Sequence, residues 1–357
     1  MTDSRLRVGI LGASGYGGAG LIERLSRHDG VRITAIGSRQ YLGQSVDACW
    51  PQFAGLVDLR FGDEDEVIGA CDVLFCATPH GATAPIVKRA LEAGVAVVDL
   101  SADFRLSAES YQTWYGAPHP CPELIPRSRY GLVELHRAEL AGCRLVASPG
   151  CNATAASLAL APLAAAGLLG SSAVATVLAG VSGAGRSPGA PYTFAEVNEN
   201  LRAYKPSGTH RHTGEIEATL GRVRADGKDL VTHSDFEPYT VSFTPHLVPV
   251  SRGILATCTT RPRDTELDDD GLLAIFRDYY AGDPLIHVQT DLPQTKAVAG
   301  SDRAILSVRY DPRSRHIVAF CVIDNLGKGA AGQAVQGFNV AFGFSETEGL
   351  NVAGNWP

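Results

Sequence analysis

A glycine-rich turn near the N-terminus constrains the fold more than any other feature of the sequence. Three glycines, spaced every third residue over 12–18, follow an apolar run at 6–11 that is typical of a buried strand. Apolar residues at helical spacing come next over 19–26, and a second strand is predicted over 31–37. A glycine turn at the first junction of a β-α-β unit is typical of phosphate binding, because glycines let the backbone approach a ligand at a helix N-terminus.

In the rest of the chain, predicted strands first alternate with helices and then follow one another with few helices between them. Helices are predicted at 84–93, 154–169 and 329–342, and strands at 72–77, 95–100, 144–147, 173–181, 239–243, 254–260, 304–309 and 316–323. Strands that alternate with helices predict a doubly wound parallel sheet, and the later strands have few helical patterns between them. We therefore predict an α/β protein: a Rossmann-like dinucleotide-binding domain (1–150 plus 325–357) and an α+β catalytic and oligomerisation domain with a mixed sheet (151–324).

Composition excludes several classes of protein. A length of 357 residues is typical of two domains, and 45% apolar with 19% charged residues is a globular composition. A net charge of −7 disfavours nucleic-acid and anionic-membrane surfaces, and no apolar run reaches the roughly 18 residues of a membrane span. Eight cysteines without CxxC spacing predict neither a metal site nor a disulfide framework. With no secretory pattern at the N-terminus, we expect a cytoplasmic protein.

The end of the second strand indicates which dinucleotide binds. A site for NAD usually has an acidic residue there, for the ribose 2′-hydroxyl group. This chain reads Gly37-Ser38-Arg39, and a hydroxyl with a guanidinium suits a 2′-phosphate instead. The sequence predicts NADPH; the alternative is a solvated arginine at the end of a strand.

One cysteine has the setting of a nucleophile. Cys151 follows Pro149 and Gly150 and stands at the head of the long apolar helix. A helix N-terminus favours the thiolate, and the amides that follow could hold an oxyanion. The alternative is a small residue chosen for packing. Cys71, Cys76 and Cys321 lie in apolar strand-like runs and are predicted to be core.

A thiol nucleophile needs an acid–base partner, and three polar segments offer candidates. His210, Arg211, His212 and Glu215 lie within six residues. One histidine could face the thiol, while Arg211 or the other histidine binds substrate phosphate and Glu215 orients an imidazole. Further candidates are His246, in the segment 243–252, and Arg186, in the glycine-rich segment 182–186. Ordinary polar loops and turns are the alternative for all three segments. A nicotinamide site with an activated thiol indicates reductive acyl chemistry on an acyl phosphate.

Ordered motifs over nearly the whole chain resemble one family. They are GASGYGG (12–18), VDLSADFRL (98–106), WYG (114–116), SPGC (148–151), SGAGR (182–186), HRHTGEIE (210–217), FTPHLVPVSRGI (243–254), QTKAVAGS (294–301) and DNLGKGAAGQAVQ (324–336). The chain resembles the N-acetyl-gamma-glutamyl-phosphate reductases of arginine biosynthesis, in the aspartate-semialdehyde dehydrogenase superfamily. The resemblance implies Cys151 as nucleophile, His212 in preference to His210 as acid–base residue, NADPH as cofactor, a C-terminal helix that completes the Rossmann domain, and a homodimer or homotetramer.

These considerations give a set of candidate site residues. The cofactor candidates are Gly12, Ser14, Gly15, Tyr16, Gly17, Ser38, Arg39, Thr78, Pro79, Ser182, Gly183 and Asn325, the last near the nicotinamide by resemblance. The substrate candidates are Asn152, Arg186, His210, Arg211, Glu215 and His246, and the catalytic pair is Cys151 and His212.

One departure from the family pattern leaves the substrate open. After the cysteine the arginine enzymes usually read Tyr-Pro-Thr, whereas this chain reads Asn152-Ala153-Thr154. That form resembles related reductases of lysine biosynthesis, which act on aminoadipyl phosphate attached to a small carrier protein. The segments at 210–217 and 243–249 resemble the arginine enzymes, so the resemblance favours N-acetyl-gamma-glutamyl phosphate. The alternatives are a glutamyl or aminoadipyl phosphate linked to a small acidic carrier, and a non-catalytic NADP-binding protein.

Overall fold

The structure is a computed structural model that describes residues 4–187, 189–224, 239–262 and 267–356. The strands in chain order are β1 (Leu6–Leu11), β2 (Val31–Gly37), β3 (Phe61–Gly62), β4 (Val73–Cys76), β5 (Ala96–Asp99), β6 (Arg129–Tyr130), β7 (Leu145–Ala147), β8 (Ser172–Gly180), β9 (Arg202–Ala203), β10 (Thr240–Val248), β11 (Ile254–Thr260), β12 (Ile286–Val288), β13 (Ala304–Asp311) and β14 (His316–Ile323). The helices are α1 (Tyr16–Leu25), α2 (Val46–Cys49), α3 (Glu64–Gly69), α4 (Ala84–Glu92), α5 (Ala108–Tyr115), α6 (Val133–Leu140), α7 (Cys151–Ala165), α8 (Phe194–Val197), α9 (His212–Arg224), α10 (Asp269–Tyr279) and α11 (Gly332–Phe342).

The described residues form two units. The first contains 4–112, 117–149 and 330–351, and the second contains 113–116, the described part of 150–329, and 352–356. The boundaries predicted from the sequence differ from these units at Gly150, which belongs to the second unit, and in three short segments. Residues 113–116, 325–329 and 352–356 belong to the second unit rather than to the first.

The first unit is a parallel sheet with helices on both faces, as predicted. In its described part, seven strands lie in the order β3-β2-β1-β4-β5-β7-β6, and every pairing is parallel. Successive residues of a strand point to opposite faces, so each strand contributes to two cores. Ile10 and Phe75 pack with Phe338 of α11 on one face, whereas Leu11 and Leu74 belong to the core on the other. Each such buried side chain contributes about 1.5–3 kcal/mol.

The second unit has the predicted mixed sheet. Its described strands lie in the order β12-β13-β14-β11-β8-β10-β9. The pairs β12–β13 and β8–β10 are parallel, and the other pairs are antiparallel. Helix α7 is buried on every side from Asn152 to Ala164, and it packs beside α9 and against strands β8, β11 and β14. A helix that is apolar all round is a core helix, which the sequence predicted.

Several element boundaries differ from the predicted ones. Helix α7 begins at Cys151 rather than Thr154, because the Gly150 carbonyl already accepts the Thr154 N–H at 2.8 Å. Strand β10 continues through Pro245 to Val248, because its pairing with β8 runs on to the end of both strands. Helix α11 begins at 332, after a π-helical turn over 327–331, rather than at 329.

Helices α9 and α10 were not predicted. Helix α9 has a largely polar sequence that includes His212, Glu215 and Arg222. Such a sequence is typical of a solvated loop, and the packing that makes it a helix cannot be predicted from neighbouring residues. Helix α10 begins after Asp268, whose carboxylate accepts the Gly271 N–H at 2.7 Å as an N-cap.

Candidate active site

Close packing requires two of the three glycines of the first turn. Gly12 has φ +76°, and a Cβ there would lie 2.3 Å from the carbonyl oxygen of Ala77. A Cβ on Gly18 would lie 2.4 Å from the Cα of Ala13. Gly15 has room for a side chain and serves as the N-cap of α1. The turn therefore brings the backbone of β1 against the end of β4 and exposes the first N–H groups of a helix.

A cavity of about 660 Å³ opens at the carboxyl ends of β1 and β2, beside this turn. Six of the predicted cofactor residues line it: Gly12, Ser14, Ser38, Arg39, Thr78 and Pro79. Gly15, Tyr16 and Gly17 do not line it and instead lie at the start of α1. The hydroxyls of Ser14 and Ser38 are 2.8 Å apart. A glycine-lined turn, a helix N-terminus, two hydroxyls and an arginine fit a phosphorylated dinucleotide.

Two residues of this cavity were not found from the sequence. Glu64, the first residue of α3, accepts a hydrogen bond from Arg39 at 2.7 Å. It accepts a second from Arg89 of α4 at 2.5 Å. The end of β2 therefore does have a carboxylate beside it, although none stands there in the sequence. No local signal could have found the pair, because each residue lies about 25 positions from its partner.

The segment that carries Thr78 and Pro79 is held by a buried carboxylate. Asp103, fully buried, accepts the N–H groups of Gly81, Thr83 and Ala84 at 2.7, 3.2 and 3.0 Å. The Thr83 and Ala84 amides belong to the N-terminus of α4, where helix N–H groups have no intrahelical partner, and Gly81 lies in the preceding turn. Asp103 lies in the motif at 98–106, and its role was not predicted from the sequence.

Cys151 is the first residue of α7 and is half-buried. The preceding N–H, that of Gly150, donates a hydrogen bond of 2.7 Å to the carboxylate of Glu215 on α9. Gly329 lies against the cysteine on another side, since a Cβ on Gly329 would be 2.9 Å from the Cys151 Cβ. The nucleophile candidate therefore has a fixed backbone at a helix N-terminus, which favours a thiolate.

The two histidines have different environments. The Nδ1 of His210 accepts the His212 N–H at 3.1 Å, and the ring centroids are 4.7 Å apart. Burial, followed by the neighbouring His212, lowers the pKa of His210 to about 3. The His210 ring also packs on Phe243 and Tyr204. His210 is thus neutral at ordinary pH, and its ring accepts the backbone N–H of His212.

His212 and Glu215 are three residues apart on α9 and so share one face of the helix. Because Glu215 binds the amide that precedes Cys151, this face is directed to the N-terminal end of α7. Glu215 therefore contacts the residue before Cys151, and the two histidines contact each other, all within the second unit.

The remaining substrate candidates are divided. Asn152 is buried, and its Nδ2 lies 3.5 Å from the hydroxyl of Tyr204, whose pKa burial raises to about 12. Arg211 stacks over the ring of Tyr115 at 4.9 Å. His246 lies three residues beyond Phe243 on β10, on the face opposite the one that contacts His210. Arg186 is half-buried beyond a short 3₁₀ turn.

Ser182, Gly183 and Asn325 form a separate cluster in the second unit. The Asn325 Nδ2 donates to the Ser182 hydroxyl at 2.9 Å, and its Oδ1 accepts the Gly253 N–H at 2.8 Å. The side-chain amide of Asn325, next to Gly183, therefore has a fixed orientation.

No helix among the described residues is long and apolar enough to cross a membrane.

Comparison with protein families defines the class. Residues 7–143 match the semialdehyde dehydrogenase NAD binding domain, and residues 151–325 match the semialdehyde dehydrogenase dimerisation domain. A solved structure of aspartate semialdehyde dehydrogenase II from Vibrio cholerae shares the fold, with a TM-score of 0.71 at 20% identity over 95% of this chain and 98% of that one. The enzyme from Candida albicans, solved with NADP, has a TM-score of 0.69 at 19% identity over 94% and 98%. The chain thus has the semialdehyde dehydrogenase fold, as predicted.

Sequence relatives define the family within that class. The N-acetyl-gamma-glutamyl-phosphate reductase of Thermus thermophilus is 48% identical over 98% of this chain and all of the relative. That of Desulforudis audaxviator is 45% identical over 99% of this chain and all of the relative. The chain belongs to the N-acetyl-gamma-glutamyl-phosphate reductase family, which confirms the resemblance found in the sequence. These relatives give no support to a carrier-linked substrate.

Proposed function

We propose that this chain reduces N-acetyl-gamma-glutamyl phosphate to N-acetylglutamate semialdehyde, with NADPH, in arginine biosynthesis. The observation that carries the proposal is Cys151 at the N-terminus of α7, held through Gly150 by the glutamate of the His212 helix. This arrangement supports a role for Cys151 as an acyl-transfer nucleophile. The choice of substrate, a small-molecule acyl phosphate, rests on membership of the family.

The first chemical step belongs to Cys151 and His212. The Cys151 thiol loses its proton to His212, and the thiolate attacks the acyl carbon of the acyl phosphate. The carbon–oxygen bond to phosphate breaks, phosphate leaves, and a thioester on Cys151 forms. The backbone N–H groups that open α7 can hold the oxyanion that develops on the acyl oxygen.

The second step releases the aldehyde. When bound, NADPH supplies the hydride that reduces the thioester carbon. The carbon–sulfur bond then breaks, Cys151 leaves as the thiolate, and His212 returns the proton. Gly12, Ser14, Ser38 and Arg39 would hold the cofactor in the first unit.

The test is the reverse reaction, phosphate-dependent reduction of NADP by N-acetylglutamate semialdehyde. We expect activity in the wild type and a loss of about 10⁴-fold or more in Cys151→Ser, with NADPH binding retained. Cys143→Ser is a matched control, because Cys143 is also half-buried but lies in the first unit. Activity that survives in Cys151→Ser, or that needs no phosphate, would contradict the proposal.

The family model and the second unit both favour a homo-oligomer. Alternate residues of the mixed sheet face away from the α7 core and are exposed or half-buried, among them Val174, Leu178, Val318 and Phe320. We assign this face to contact between copies of the chain, as a dimer or tetramer. Val174→Glu is expected to lower the sedimentation mass, whereas Leu56→Glu, at an exposed residue of the first unit, is expected to leave it unchanged. An unchanged mass in Val174→Glu would exclude this face.

A further inference from the structure

Two arginines share one carboxylate at the nucleotide cavity. Arg39 lies just beyond β2, Arg89 lies on α4, and both line the cavity. Each binds a different oxygen of Glu64, Arg39 the Oε1 at 2.7 Å and Arg89 the Oε2 at 2.5 Å. Arg89 also binds Asp65 at 2.6 Å. Glu64 therefore holds two guanidinium groups side by side.

The exposure of these side chains indicates which of them can receive a ligand. The Glu64 side chain is 27% exposed, whereas those of Arg39 and Arg89 are 87% and 45% exposed. The carboxylate is the inner member of the cluster, and the guanidinium groups are accessible from the cavity. Exposed ion pairs of this kind contribute little to stability. Breaking the pairs of Arg39 and Arg89 with Glu64 to bind a ligand would therefore cost little.

A phosphate dianion can take the place of a carboxylate between two guanidinium groups. Both anions accept paired N–H groups from arginine, and the dianion carries the larger charge. Glu64 would then compete with the phosphate and also repel it. A carboxylate beside the end of β2 is the group that accepts a ribose 2′-hydroxyl in NAD sites. Glu64 thus favours the nucleotide without the phosphate, and the two arginines favour the nucleotide with it.

We propose that Arg89 acts with Arg39 to select a 2′-phosphorylated nucleotide, and that Glu64 opposes this selection while it holds both side chains. The inference rests on the proposed use of NADPH and adds residues that set the preference. It predicts opposite effects for the two kinds of substitution. Arg89→Met lowers the preference for the 2′-phosphate, and Glu64→Gln raises it, because the amide keeps an acceptor oxygen and removes the negative charge.

The test uses two fragments that differ only in the 2′-phosphate, adenosine 2′,5′-bisphosphate and adenosine 5′-monophosphate, titrated by calorimetry into the full chain. In Arg89→Met, binding of the bisphosphate is expected to weaken about tenfold, and binding of the monophosphate to change less than about twofold. In Glu64→Gln, the ratio of the two affinities is expected to rise severalfold. Lys88→Met is the matched control: Lys88 is the preceding residue of α4, pairs with Glu123 and does not line the cavity.

Each outcome decides the proposal. Equal weakening of both fragments in Arg89→Met, or no weakening of either, would overturn the role of Arg89. A ratio that falls in Glu64→Gln would overturn the role of Glu64. Thermal unfolding of each variant separates misfolding from lost binding. The readout needs no acyl substrate, so a chain that shows this selectivity but no phosphate-dependent reductase activity would retain the inference and lose the proposed function.

Discussion

The carboxylate of Glu215 accepts a 2.7 Å hydrogen bond from the backbone N–H of Gly150, which immediately precedes Cys151. Both groups are buried. The bond joins the N-terminal turn of α9 to the N-cap of α7. It therefore couples the helix of the proposed acid–base histidine to the helix of the proposed nucleophile.

Loss of this bond is expected to slow the reaction. Glu215→Ala leaves the buried Gly150 N–H without its acceptor, a cost of about 1–3 kcal/mol, and lets the cysteine move. We expect kcat to fall about 10- to 100-fold and alkylation of Cys151 to slow, whereas Glu215→Gln, which keeps an acceptor, retains most of the activity. Glu217→Ala is the control, because Glu217 also lies on α9 but accepts the N–H of Val241 on β10 instead. Equal activity in Glu215→Ala and wild type would contradict the coupling.

The pH dependence of the rate is expected to distinguish the two histidines. Because the pKa of His210 is lowered to about 3, this residue stays neutral over the range in which an ordinary histidine titrates, near pH 6.5. His212→Asn should slow the reaction by about 10²–10⁴-fold and remove the acid limb of the pH–rate profile. His210→Asn should keep that limb. If the acid limb disappeared only in His210→Asn, the acid–base role would belong to His210 rather than His212.

The same pKa predicts acid sensitivity of the fold. His210 binds a proton in the unfolded chain at its ordinary pKa of about 6.5 but in the folded chain only near 3. Protonation therefore favours the unfolded state, and stability is lost as the pH falls from about 6.5 towards 3. Chemical denaturation of wild type and His210→Phe across this window measures the effect. The variant should show a shallower loss, and parallel curves would count against it.

Arg39→Ala is expected to weaken NADPH about tenfold and NADH by less than about twofold. The reason is that Arg39 lines the cavity, where its guanidinium pairs with Glu64 and can pair with a 2′-phosphate instead. Fluorescence titration of both nucleotides gives the two affinities. Arg60→Ala serves as control, since Arg60 donates to the Gly43 carbonyl and does not line the cavity. Equal losses for both nucleotides would contradict recognition of the 2′-phosphate.

Gly329→Ala is expected to disturb the nucleophile without unfolding the chain. The new Cβ would lie 2.9 Å from that of Cys151 and 3.2 Å from the carbonyl oxygen of Asp324, so the cysteine must move. A displacement of this kind should lower kcat about 10- to 100-fold and alter the alkylation rate of Cys151. Gly69→Ala, at a glycine with open space around it, is the control. Wild-type kcat in Gly329→Ala would show that the contact is not needed.

The features that could be predicted from the sequence are those that depend on residues close together in the chain. Strands β1 and β2 and the glycine turn follow from local apolar periodicity and from backbone freedom, and Cys151 was found because its helix N-terminus is a local signal. The Glu64 pairings, the Gly150–Glu215 bond and the contact of Gly329 with Cys151 join residues far apart in the chain. Only the folded structure brings them together, so no spacing in the sequence could indicate them. Helix α9 was missed because its stability comes from packing on α7 rather than from its own polar sequence.

Helix α7 has a further consequence, because the residues that follow the nucleophile are also the core of its unit. From Asn152 to Ala164 every side chain is buried, so these amides are expected to exchange with solvent only when the whole unit unfolds. The helix N-terminus that we propose activates Cys151 is therefore expected only in a chain that has completed this core. On this proposal, the reactive thiol and the finished fold arise in the same cooperative event, and a partly folded chain is expected to have no activated cysteine to be oxidised.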